Sequence, residues 1–175
     1  MDKQKPRRAA LARTAGGGCP YAIVAHSIIL PGGFMPGWGT GSFENEDAQG
    51  FLGRLNSLGF DDLRQTLARA ADQDDYLEAP ESSIAVAAAE VVAELLVAAK
   101  AVTEKEEASS PAAPRQIVDW LSKNQAAAPP DLVDLARRAV ERVRTNSELK
   151  DLWLEAEGLN EWSAALRELE GRLNG

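Results

Sequence analysis

From Ile84 to Ala99 the chain is a near-continuous run of alanine, valine and leucine, broken only by Glu90 and Glu94. A helix that is apolar on almost every side has to be enclosed by others, so this run dictates a bundle built around it. The spacing predicts a helix over 81–101, with Pro80 in its first turn, where the missing N–H would have had no partner anyway. Its alanines let neighbours approach closely. Ser83, Ala87, Glu90 and Glu94 fall on one stripe of this helix, and that stripe is expected to face solvent.

The remaining segments supply the enclosing helices. After Asn45, which suits an N-cap, Ala48, Phe51, Leu52, Leu55 and Leu58 recur at three- and four-residue spacing up to the expected stop at Gly59. Leu63, Leu67, Ala70 and Ala71 predict a second helix starting at Asp61 or Asp62 and ending in an acidic loop. Segment 103–114, rich in charge, serine and proline, reads as an exposed connection. Ile117, Val118, Trp120 and Leu121 then mark a short helix, and Leu132, Leu135, Ala136, Ala139, Val140 and Val143 a longer one over 131–144. Thr145 with Glu148 fits a capping box ahead of Leu149, Leu152, Trp153 and Ala156, with Gly158 as the end of that helix. Asn160 is the expected cap of a last helix carrying Trp162, Ala165, Leu166, Leu169 and Leu173. Trp120, Trp153 and Trp162 are read as core. No two-residue alternation occurs, so the expected fold is all-α: one compact bundle of about seven helices around the central Ala-rich one.

Ahead of the first helix stands Gly37-Trp38-Gly39-Thr40-Gly41-Ser42-Phe43-Glu44-Asn45-Glu46-Asp47. Glycines at alternate positions permit positive φ or tight packing, so Trp38 and Phe43 can fold back onto the bundle, either as a clasp closing one end or as the lining of a ligand pocket. Glu46 and Asp47 sit where the helix dipole favours acids. The stretch resembles the opening signature of a bacterial family known as domain of unknown function 4259. The likeness continues through Tyr76-Leu77-Glu78-Ala79, the alanine-rich run to Ala93, and Ser147-Glu148-Leu149 with Leu152-Trp153, Glu155-Ala156, Trp162 and Leu166. It spans about 37–173 and implies a fold without implying a reaction, cofactor or catalytic residue.

Charge narrows the partners. Of the 19 basic residues five precede Met35, as does one of the 27 acidic ones, so the remainder carries 14 against 26, a net −12. A body this acidic repels phosphate backbones, which disfavours nucleic acid. The basic head, 1–34, carries an apolar stretch from Tyr21 to Leu30 that is too short and too polar to span a bilayer. It reads as a disordered or mis-assigned extension preceding a domain over 35–175. A single cysteine, Cys19, leaves no disulfide framework and fits a cytoplasmic setting.

The only histidine, His26, shares that head, which removes Ser-His, Cys-His and His-bearing metal sites from the body. No Gly-rich phosphate loop is present, and no cofactor is called for. What remains is carboxylate chemistry at Glu44, Asp47, Glu78 and Glu90, which could hold a hard cation or work as acid and base if brought together. Against that stands the plainer reading of these acids as helix-terminal residues. Trp38, Phe43, Glu44, Asn45, Asp47 and Glu78 are therefore the candidate binding residues, and no catalytic or metal residue is assigned. Arg137, Arg138, Arg142 and Arg144 form a basic patch, read either as a solvated face paired with local acids such as Glu141 or as a docking surface. The expected function is non-enzymatic: a protein-binding or regulatory module, of immunity type for example, whose acidic surface meets a basic protein. The alternative is a metal-binding or hydrolytic protein using Glu44, Asp47 and Glu78.

Overall fold

The computed structural model describes residues 39–73, 75–104, 113–124 and 127–175, and every regular element among them is helical. Seven α-helices follow one another: α1 (Glu46–Arg54), α2 (Phe60–Asp72), α3 (Ala79–Glu104), α4 (Arg115–Lys123), α5 (Pro130–Thr145), α6 (Glu148–Glu155) and α7 (Leu159–Asn174). The head 1–34 and Trp38 lie outside the described residues, as does most of the connection 103–114.

The enclosure expected of the apolar run is what α3 shows. It touches all six other helices, and Ala87, Ala88, Ala89, Val91, Val92 and Ala93 are wholly buried. Ala79–Val102 is apolar and long enough to cross a membrane, yet 72% of its most apolar window is covered by the bundle. That coverage is the mark of a core helix. The α2 and α5 helices pack most extensively against each other, and α5 also lies along α3. Trp120 closes the α4 corner: it is fully buried, meets Phe60 edge to face at 5.4 Å, and donates its indole N–H to the Leu58 carbonyl at 2.7 Å.

Four local expectations are corrected by long-range contacts or chain geometry. The first helix tightens into a 3₁₀ turn at Leu55–Ser57 instead of running on to Leu58, which lets the buried Leu55 reach the core while the chain turns toward α2. Ser147, not Thr145, caps α6, accepting from Lys150 N at 3.1 Å, because residue 147 is bridged to Leu77. Glu148 is thereby freed to reach across and accept the Ala79 N–H at 2.8 Å, capping α3 in place of its own helix. At the other end of α6 the left-handed residue is Glu157, φ 58°, one before the expected Gly158. The Gly158 N–H bonds to the Trp153 carbonyl and the Glu157 N–H to that of Leu154, which is a Schellman closure. Asn160 lies inside α7, whose N-cap is Gly158.

Candidate functional site

The opening loop is shaped by one side chain. Glu44 turns back so that its Oε2 accepts the Gly41 N–H at 2.9 Å, while its backbone pairs with Gly39 and Gly41 on either side. A Cβ placed on Gly39 would sit 1.9 Å from Glu44 Oε2 and 2.5 Å from its Cδ; one on Gly41 would sit 3.0 Å from both. A side chain at either position would displace the Glu44 carboxyl from this placement, and backbone handedness is not involved, since neither glycine has positive φ. Asn45 then caps α1 as its sequence position foretold, with Oδ1 accepting Ala48 N at 2.9 Å. Phe43 packs, partly buried, on the core, and Asp47 lies in the first turn of α1.

Gly39→Ala is expected to lower stability by about 0.5 to 1.5 kcal/mol, the usual worth of one hydrogen bond, by forcing Glu44 off Gly41. In a Glu44→Ala background the same change should cost only a few tenths. Urea melts of the four proteins in this cycle measure the difference, and additivity of the two substitutions would refute the cradle.

Ser42 fixes the loop to the hub. Its hydroxyl donates to Glu90 Oε1 at 2.7 Å, and Glu90 Oε2 in turn meets Arg172 Nη2 of α7 at 2.6 Å. Arg172 Nη1 lies 3.4 Å from Glu94. The stripe expected to face solvent is therefore covered: Ser83, Ala87, Glu90 and Glu94 are 1%, 0%, 8% and 3% exposed. Two carboxylates can be buried there because the planar guanidinium presents separate N–H groups to each. Arg172 is the functional-site residue that sequence reasoning missed. Its one trace was the pair of acids on an otherwise apolar helix, which call for a cation only once the fold is seen to enclose them.

The sequence motifs meet around this hub. Glu148 N donates to the Leu77 carbonyl at 2.9 Å, joining the Tyr76-Leu77-Glu78-Ala79 segment to the start of α6. Trp153 and Trp162 stack at 6.5 Å, and both help line a small recess beside the opening loop. Glu78 stays exposed, its carbonyl accepting from Ser82 N and Oγ. Among the described residues no three acidic, histidine or cysteine side chains gather as a metal-ion cluster would require. The family model for domain of unknown function 4259 (DUF4259) matches residues 37–165. The chain belongs to this family. No curated protein and no solved structure matches it.

Two surface regions of this DUF4259 member carry charge. The arginines of α5 are largely engaged with other elements: Arg138 with Asp72 and Asp134, Arg144 with Glu170 at 2.8 Å, and Arg137 and Arg142 with the carbonyls of Leu173 and Asp75. Glu141, the local acid expected to pair with them, is not among these partners. Nearby, Arg64 donates to Asp131 at 2.7 Å, and this bond holds the Asp131 carboxyl below its ordinary value. The second region surrounds Tyr76, which is 50% exposed. Its hydroxyl donates to Asp151 at 2.6 Å, and that bond, followed by desolvation and the charges of Asp151, Glu148 and Glu155, pushes the phenol up to about 12. Leu154, 56% exposed, belongs to the same short helix.

Proposed function

We propose that this domain is a non-enzymatic, cytoplasmic binding or regulatory module, of the kind an immunity protein represents, and that it meets a basic protein through the acidic face around Tyr76. The observation that carries this reading is the environment of Tyr76: a half-exposed aromatic ring whose hydroxyl is tethered to Asp151 and surrounded by the charges of Glu148 and Glu155. An amphipathic ring tethered through its hydroxyl beside three carboxylates suits an interface anchor, because tyrosine supplies contact area at low entropy cost; Lys150, 3.7 Å from Asp151, offsets part of that charge and leaves Glu148 and Glu155 to favour a cationic partner. The net −12 of the body acts in the same sense, steering encounter with opposite charge and opposing nucleic acid.

The alternative, carboxylate chemistry by Glu44, Asp47 and Glu78, is weakened by what these acids already do: Glu44 closes its own loop and Asp47 lies in the first turn of α1. Co-purification from the source cell at low salt tests the binding reading. Capture should fade as salt is raised toward a Debye length of about 3 Å near 1 M. Asp151→Lys and Glu155→Lys should each weaken capture at least about tenfold, about 1.4 kcal/mol. Capture that ignores both charge reversals would refute the assigned face, and an empty low-salt pull-down would refute the binding role.

A further inference from the structure

We infer that the recess between the opening loop and α3 is a binding site for one internal water molecule, held by the hydroxyl of Ser83. Ser83 is 1% exposed, and its Oγ has no hydrogen-bond partner. A buried hydroxyl in a helix ordinarily bonds to the carbonyl one turn back, as the adjacent Ser82 does, donating to Glu78 O at 2.8 Å. Ser83 forgoes that bond and instead lines the recess, where an unmet hydroxyl costs about 1 to 3 kcal/mol.

The size of the space decides what can meet it. The recess has a volume of about 20 Å³, above the roughly 10 to 15 Å³ that one water requires and far below that of an organic ligand. A water also needs two to four polar partners, and the wall supplies them. Ser42 gives its proton to Glu90 but keeps acceptor capacity, and Asn45 commits Oδ1 to Ala48 N while its amide N–H groups remain donors. Val86, Leu149, Leu166 and the Trp153–Trp162 stack supply the apolar part of the lining, and Thr40 and the Gly39 and Gly41 backbone complete its polar part. The opening loop is consequently joined to the hub twice, by the Ser42–Glu90 bond and by a water bridging the loop to Ser83. This role is independent of any partner at the Tyr76 face.

Water–protein cross-relaxation measured by NMR on the full chain tests the site. The expected result is a long-lived water signal to the amides of the 39–45 loop and to residue 83, retained in Ser82→Ala, whose hydroxyl is satisfied within its own helix. Ser83→Ala should lose the signal and lower Tm by about 3 °C, the usual scale for losing one such bond in a domain of this size. Absence of a long-lived water in the parent protein would overturn the inference. So would a Tm in Ser83→Ala that stays level or rises, since removing an unmet hydroxyl from a dry recess relieves a penalty.

Discussion

Arg172→Ala is expected to cost about 3 kcal/mol, seen as a lower urea midpoint, because it strips the cation from a carboxylate that has little access to water. Glu90 is 8% exposed and has two partners, Ser42 on one oxygen and Arg172 on the other. Without Arg172 the second oxygen is left desolvated and charged. The cost of breaking such a pair runs to about 3 to 5 kcal/mol, and the lower end applies here because the Arg172 side chain is itself 29% exposed, so water can follow its removal. Arg172→Lys should fall between parent and alanine, since one ammonium cannot serve Glu90 and Glu94 in the forked geometry of a guanidinium. Adding Glu90→Gln to Arg172→Ala should restore part of the loss: an amide keeps an acceptor for Ser42 and removes one of the two buried charges, Glu94 keeping the other. A loss below about 1 kcal/mol in Arg172→Ala, or no rescue by Glu90→Gln, would show that these acids are effectively solvated. The same variant should loosen the 39–45 loop, because Ser42 is held by the carboxylate that Arg172 positions.

That latch explains the limit of what the sequence revealed. The helices were legible because three-four periodicity is a local property, and the central position of α3 followed from its being apolar on nearly every side. Where Glu90 and Glu94 pointed was not, because their partner arrives from 82 and 78 positions further along the chain. Two acids on an apolar helix are equally consistent with a thin solvent stripe until that partner is known. The caps failed in the same way. Thr145 and Ser147 are both competent N-caps, and the choice between them was made by Leu77, whose carbonyl receives the Glu148 N–H. Once Glu148 reached Ala79, the box that Thr145 would have formed had no second half. The glycine motif was legible as a tight loop, yet what it closes around, the Glu44 side chain, is visible only in the fold.

Trp120→Ala should cost about 3 to 5 kcal/mol, the range for emptying a fully buried large aromatic site, and more than any other single truncation in the α4 corner. Three losses combine there. A cavity opens where α4 meets the 3₁₀ turn; Phe60 loses its edge-to-face neighbour; and the Leu58 carbonyl loses the indole N–H that satisfies it at 2.7 Å. Trp120→Phe separates these contributions. It keeps most of the ring packing and leaves the carbonyl unmet, so it should cost about 1 to 3 kcal/mol. Because α4 packs on α1, α3, the 3₁₀ turn and Phe60 of α2, and not on α6, which carries Asp151 and Glu155, capture of a basic partner by folded Trp120→Phe should match the parent. Equal stability of Trp120→Ala and the parent in urea would mean that α4 is dispensable to the bundle, which its wholly buried tryptophan argues against.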